Sequence, residues 1–408
     1  MGKRMAVVAV HLAFIAGYAN AVNMSAREMG GAGALAVFSN GAEGFSSNPA
    51  NLGVPSFVSI SVGAGFEGNN NVVIFKYLTG FYQQSSLMPG FSMEFERTKH
   101  EAITNCDSEL KYNGNNWDGR MSGAGGAAVT WQGFGISYQS RSDWYVRNAS
   151  PEFIRSSFGE HTALKPNTSC AIDGEIRWTD YDEMALGYGR ELLPLVPGLS
   201  LSAGAALKYI AGVNYNRYWD TGTYAIGASG ADYKYANHDG STSGKGFGLD
   251  IGVAASILDI AKAYVSCRNA YSSIAWDGLR EVTKFNASTS TFLNAPVLTS
   301  FNSELPREIA AGIGAKIPLI GTNAAEGEVL PGWEGDASLR IGVEQWLGPL
   351  AIRVGYVPDS GVLGDYITGG LGLGMEKFRL DAVYHYTPDR EDYNDDKGTV
   401  GLSLYFGL

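Results

Sequence analysis

Residues 337–347 read Ala-Ser-Leu-Arg-Ile-Gly-Val-Glu-Gln-Trp-Leu, so that Leu339, Ile341 and Val343 alternate with Ser338, Arg340, Gly342 and Glu344. Successive side chains of a β-strand point to opposite faces, which gives this segment one apolar face and one polar, charged face. The pattern recurs along the chain. One apolar row runs Leu199, Leu201, Ala203, Ala205, Leu207, Tyr209; others run Leu249, Ile251, Val253, Ile257, then Leu350, Ile352, Val354, Tyr356, then Val400, Leu402, Leu404, Phe406. The opposite face carries Lys208, Asp250, Glu308, Lys316, Arg340, Glu344, Arg353, Arg379, Asp381 and His385, spaced by glycine and serine. A soluble sandwich would set one apolar face against another. So many charges on the second face point instead to an all-β fold, an antiparallel transmembrane β-barrel with lipid outside and water or a plug within.

The N-terminus agrees. Lys3 and Arg4 precede an apolar run from Met5 to Tyr18, followed by Ala19-Asn20-Ala21. A basic start, a short apolar core and a small-x-small site make residues 1–21 a secretory signal peptide. The run falls short of the ~20 residues that a spanning helix needs, and no other long apolar run follows. Barrel strands leave no such trace, and a mean hydropathy of −0.07 suits them. Glycine, at 54 of 408 residues, is well above the ~7% of ordinary domains. It suits closely packed strands.

Strands are expected near 55–66, 71–78, 91–98, 121–131, 134–141, 176–190, 199–211, 246–257, 262–275, 306–317, 336–346, 349–357, 366–375, 377–386 and 398–407. Tight turns at Gly133, 192–198, 258–261, Gly348 and Glu376 contrast with long polar loops at 99–119, 142–175, 218–243 and 277–305. Short turns on one side and long loops on the other are the bacterial outer-membrane pattern. Parity slips by one between 306 and 346, which points to a further strand near 318–335 or to one split wrongly. Even strand numbers are the rule, so fourteen or sixteen would fit; about 14 strands are expected, with one early hairpin folded inward or merged.

The inward charges must find partners or water. They read as an ion-pair network locking a plug, with a charged path for a polar solute as the alternative. A net charge of −11 argues against nucleic acid as a partner. The cysteines show no metal spacing; Cys106 and Cys170 both fall in expected outer loops, where a disulfide is open to them, and Cys267 falls on a strand as a small free thiol. Asp389, Glu391, Asp392, Asp395 and Asp396 form an acidic loop without the spacing of a calcium site, read as solvated, with divalent bridging to lipopolysaccharide as the alternative. After the signal peptide His100, His161, His238 and His385 remain, and no nucleophile elbow or zinc motif accompanies them. No cofactor and no enzymatic reaction is expected.

Residues 22–54 carry no strand pattern. Gly31-Ala32-Gly33-Ala34, then Ser47-Asn48-Pro49-Ala50-Asn51-Leu52, resemble the N-terminal hatch of the FadL superfamily with its Asn-Pro-Ala-x-Leu sequence. The likeness continues in Leu207-Lys208-Tyr209, Gly246 to Gly252 and Leu305-Pro306. It is closest over Gly342-Val343-Glu344-Gln345-Trp346, Leu350 to Tyr356 and Gly369 to Gly374. It implies a barrel over 55–408 plugged by a hatch over 22–54, with Ser47, Asn48, Pro49, Ala50 and Asn51 as hatch residues and Asn48, Pro49 and Ala50 at the core. It also places Glu344 and Arg353 together on the inner face. Two functions follow as expectations. One is uptake of hydrophobic compounds such as long-chain fatty acids, gated by the hatch. The other is a PorV-like, non-conducting carrier of exported proteins for a type IX secretion system. The implied partners are outer-membrane lipid and lipopolysaccharide, the barrel-assembly machinery, and an apolar small molecule or an exported protein. The ending Tyr405-Phe406-Gly407-Leu408 departs from assembly signals that finish on the aromatic residue.

Overall fold

The structure, a computed structural model, describes residues 25–53, 58–68, 117–149, 169–196, 198–225, 233–258, 260–286, 291–294, 297–317, 321–329, 337–357, 366–375, 378–386 and 400–407. The strands are β1 (Val58–Gly68), β2 (Trp117–Trp131), β3 (Phe134–Ala149), β4 (Ser169–Val196), β5 (Leu199–Ala225), β6 (Tyr233–Ile257), β7 (Ala261–Asn286), β8 (Thr291–Asn294), β9 (Val297–Ser303), β10 (Glu308–Ile317), β11 (Gly321–Val329), β12 (Ala337–Leu347), β13 (Leu350–Val357), β14 (Tyr366–Met375), β15 (Phe378–Tyr386) and β16 (Val400–Gly407). Every pairing is antiparallel. From β1 the pairings pass in order to β7, from β7 to β10, then in order to β16, which pairs with β1. Seven strands on each side of the β7–β10 junction thus form a ring of fourteen; β8 and β9 lie off it, both paired to the outer part of β7.

The expected extra strand is β11. Its Asn323, Ala325 and Gly327 stand in register with Val343, Ile341 and Leu339 of β12. Small and polar residues replace the large apolar ones there, which hides the alternation. The expected strands 71–78 and 91–98, the signal peptide, Cys106 and the acidic loop at 389–396 lie outside the described residues.

One expectation needs correction. Within the stretches 142–175, 218–243 and 277–305 strand continues over 142–149, 169–175, 218–225, 233–243, 277–286, 291–294 and 297–303, and β4 to β7 run 28, 27, 25 and 26 residues. On β5 the apolar row ends at Val213, and Asn214 and Asn216 follow. Beyond lipid, a strand has no need of an apolar face, so pairing continues where the pattern stops. Cys170 accordingly sits on β4, opposite Tyr224, rather than in a loop.

The two faces are as the alternation implies. Leu207, Ile251, Ile313, Val354 and Leu402 are exposed on the outside, while Lys208, Asp250, Glu344, Arg353 and Asp381 are buried. From Leu199 to Tyr209 the wall rises ten residues; at ~3.3 Å each and a tilt of ~40° this spans roughly 25 Å, the height of a barrel's apolar band. Rings mark both edges. Phe134 and Tyr188 meet at 4.9 Å near the short turn Gln132–Gly133, and Tyr209 and Phe247 meet at 5.8 Å toward the other rim. Gln132 and Gly133 both take positive φ, 47° and 87°, as a two-residue hairpin turn requires.

Candidate functional site

Inside the ring lies the segment Ser25–Gly53, almost wholly buried. It contains helical turns at Ala26–Gly30 and Gly41–Gly44 and 3₁₀ turns at Ala34–Phe38 and Pro49–Gly53. Short, glycine-rich turns cannot bury an apolar face on their own, so the segment takes its stability from the wall. Phe45, Ala42 and Leu52 pack on Ala128, Ala185 and Ala206, and Leu35, Val37 and Phe38 pack near Tyr264. Each large side chain buried in this way contributes about 1.5–3 kcal/mol.

Wall glycines make this approach possible. A Cβ added at Gly204 would overlap the Pro49 carbonyl, one at Gly252 the Asn48 amide, and one at Gly187 the Phe45 ring. Much of the glycine excess therefore lines the bore.

Single hydrogen bonds fasten the segment around the ring. Ala26 N donates to Ser403 Oγ (2.9 Å), Ala42 N to Ser59 Oγ (2.9 Å), and Thr368 Oγ1 donates to Gly30 O (3.0 Å). Gln139 Nε2 reaches Ser46 Oγ (2.7 Å), and Lys262 Nζ reaches Asn40 Oδ1 (2.9 Å). The Asn-Pro-Ala motif acts locally and at a distance. Asn48 Oδ1 accepts from Ala50 N at 2.9 Å, closing the turn that Pro49 begins, and Asn48 Nδ2 donates to Val253 O at 3.3 Å. Asn51 Nδ2 donates to Gly44 O (3.1 Å), and Ser47 Oγ to Glu28 Oε1 (3.2 Å).

The strongest fastening is a closed circuit of charges. Arg27 forks onto Glu344, Nε at 2.9 Å and Nη2 at 2.8 Å. Glu344 also accepts from Arg353 Nε (2.7 Å), and Arg353 Nη1 lies 2.8 Å from Asp381. Asp381 accepts from Arg379 Nε (2.6 Å); Arg379 pairs with Glu43, and Glu43 lies 3.4 Å from Arg27 Nη1. Three arginines and three carboxylates alternate around this circuit, so each charge has two opposite neighbours. Two members belong to the buried segment and four to the wall. Burial works against the charge on Glu43, but Arg379 and then Arg27 outweigh it and hold this carboxyl below the usual carboxylate range.

A second cluster stands across the lumen. Lys208 Nζ lies 2.8 Å from Asp250 and 3.4 Å from Glu183. Asn269 N donates to Asp250 Oδ1 (2.7 Å), and Arg268 pairs with Glu308 at 2.7 Å. The β6–β7 register breaks here, between Leu249 and Ile251, and Asn269 adopts φ 49°; asparagine is among the residues that tolerate that conformation.

Of the ten wall charges expected in the lumen, eight are buried: Lys208, Asp250, Glu308, Arg340, Glu344, Arg353, Arg379 and Asp381. Lys316 has the right parity but is exposed at the end of β10, where the wall reaches its rim. His385 occupies β15 opposite Thr368. Sequence reasoning missed Arg27 and Glu43. The signal was present, since Arg27, Glu28 and Glu43 are the only charged residues between 22 and 54.

Two further features line the lumen. A cavity of about 520 Å³ lies between the segment and the short-turn ends of β4 to β7, bordered by Val37, Asn51, Leu199, Ser256 and Lys262. Toward the long-loop end, Tyr181, Ile210, Tyr215, Ile274, Trp276 and Leu305 form a buried apolar layer, with Phe301 packed against it.

An antiparallel ring of strands, apolar outside and charged within, defines a bacterial outer-membrane β-barrel. Its fold is FadL-like. It is similar to the Ralstonia pickettii toluene transporter TbuX, at 10% identity over 95% of this chain and 98% of that one, with a TM-score of 0.50. A Pseudomonas aeruginosa FadL homologue aligns at 12% identity over 95% and 99% of the two chains, with a TM-score of 0.47. No family model matches the sequence, and no curated protein does.

Proposed function

We propose that this barrel admits hydrophobic compounds through the outer membrane and that Ser25–Gly53 is its hatch. The observation that carries the reading is the apolar layer of Tyr181, Ile210, Tyr215, Ile274, Trp276 and Leu305 inside a lumen that also carries many buried charges. A path for polar solutes gains nothing from such a layer, whereas an apolar solute can be desolvated there. TbuX, whose fold is similar, is described as a toluene transporter, and the resemblance to the FadL superfamily points the same way. In this reading the hatch stays docked through the charge circuit and the single hydrogen bonds, and passage requires their release.

The test is uptake of radiolabelled oleate and toluene by intact cells lacking their own such channel. Expression of the protein should raise uptake of at least one compound above the empty-vector rate, and rates equal to the vector control for both would sink the proposal. The closed circuit of charges also suits a sealed, non-conducting carrier of exported proteins. That reading predicts vector-level uptake together with an exported protein retained on purification.

A further inference from the structure

Within the apolar layer one ring has an unusual seat. The indole of Trp276, on β7, lies over Gly244 of β6 and Gly212 of β5, where an added Cβ would overlap the ring. Tyr181 of β4 is paired with Gly212, so Trp276, Gly244, Gly212 and Tyr181 form one row across four strands. Two bare glycines give the row a flat backbone floor. Tyr215, with its centroid 5.2 Å from the indole and its plane tilted by 37°, covers the ring, and Phe301 stands 5.2 Å beyond Tyr215. Trp276 Nε1 donates to Ser303 Oγ at 2.8 Å. The wall is irregular at this height. The β4–β5 register shifts between Asp180 and Tyr181, the β6–β7 register shifts between Ser241 and Gly244, and no β5–β6 pair joins residues 213–214 to 242–243.

A slot with a flat floor and an aromatic cover fits a planar ring, whereas a flexible alkyl chain is thicker and gains little from ring faces. We propose that this slot is a binding station for planar aromatic compounds, held in the empty barrel by the indole of Trp276, which swings away to admit one. The station lies at the long-loop end of the lumen, outward of the Lys208–Asp250 cluster. The proposal rests on the uptake reading above and narrows its substrate class. Irregular pairing in the wall gives the indole room to move without unzipping the barrel.

The test uses the full-length barrel in lipid nanodiscs, labelled with 5-fluorotryptophan, with the Trp276 fluorine signal assigned by its loss in Trp276→Phe. Naphthalene should move that signal saturably, and decane should leave it in place. Gly244→Ala, which fills the floor, should raise the half-saturating naphthalene concentration about tenfold. Ser303→Ala, which keeps floor and ring but removes the indole's hydrogen bond, should lower that concentration and serves where Gly244→Ala does not fold. Equal shifts with decane would overturn the planar selectivity. If cells take up naphthalene while the Trp276 signal stays still, the slot is mere packing and the uptake reading survives. Absent uptake of naphthalene, oleate and toluene, with no shift of the signal, would overturn both.

Discussion

Arg27 reaches from the buried N-terminal segment to Glu344 on β12 through two hydrogen bonds, Nε at 2.9 Å and Nη2 at 2.8 Å. The residues are 317 positions apart in sequence, and this fork is one of the two points, with Glu43–Arg379, at which the segment is locked into the charge circuit of the wall. A bidentate guanidinium–carboxylate pair fixes orientation as well as distance. The fold thus makes docking of the segment depend on a few removable charges rather than on backbone pairing, since no residue of Ser25–Gly53 joins the sheet.

Arg27→Met should therefore release the segment. It leaves Glu344 with Arg353, and Glu43 with Arg379 and the Ser25 hydroxyl, in a site where removing one partner of a buried pair costs about 3–5 kcal/mol. Hydrogen exchange should show faster exchange across residues 25–53 with unchanged protection in β12 to β16, and planar-bilayer recordings should show increased conductance. Arg27→Lys keeps the charge but loses the fork and should fall between the two. Unchanged exchange in Arg27→Met would mean that packing alone holds the segment.

Acid should act on the same contact. The folded-state carboxyl of Glu43 titrates below its ordinary value of 4.5 because Arg379 and Arg27 outweigh its burial. A depressed folded-state value contributes docking stability that is fully present above the free value and is lost as pH falls through the folded one. Segment protection should hold steady from neutrality down to about pH 5 and decline below the free value. Glu43→Gln should remove that acid step. A loss of protection already complete near neutral pH would assign the control to another group.

These two residues also mark the limit of what the sequence disclosed. Period-two alternation identified both faces of the wall and eight of the buried lumen charges, because lipid outside and charge within impose a binary pattern on most crossings; the parity of turns and loops pointed to a further strand near 318–335 or to one split wrongly. It could not show β11 itself, whose Asn323, Ala325 and Gly327 carry no large apolar residue. Nor could it show the outer lengths of β4 to β7, where water on both faces erases the pattern. Arg27 and Glu43 sit on turns too short for any periodicity, and their partners are set by three-dimensional closure alone. Trp276 lay between a strand expected to end at 275 and a loop expected to begin at 277.

Glycine on the bore is open to a separate test. Gly252 faces Asn48, and an added methyl there overlaps its side-chain amide. Gly252→Ala should push Asn48 off Val253 O, a hydrogen bond of 3.3 Å, and undo the Asn-Pro-Ala turn. The expected loss is about 1–3 kcal/mol, as for other overpacked sites, read as faster exchange at residues 48–53 with the barrel intact. Protection equal to the parent would show that the segment can shift away from β6 without penalty.

Two adjacent residues of β6 offer the sharpest check on the orientation of the wall. Ile251 is half-exposed on the outer face in register with Ala205, and Asp250 is buried against Lys208 on the inner face. Ile251→Arg places a charge in lipid near mid-depth and should destabilise the barrel by roughly 2–4 kcal/mol. Asp250→Asn leaves Lys208 with Glu183 as its charged partner, and it frees the Asn269 N–H only if the new side chain turns its amide nitrogen inward. Its loss should be roughly 1–3 kcal/mol. The two differ in dependence on lipid. Reversible urea unfolding in vesicles of thinner acyl chains should shrink the Ile251→Arg penalty, because the charge then lies closer to the interface, and leave the Asp250→Asn penalty unchanged. An Ile251→Arg barrel as stable as the parent, with Asp250→Asn sensitive to bilayer thickness, would reverse the faces.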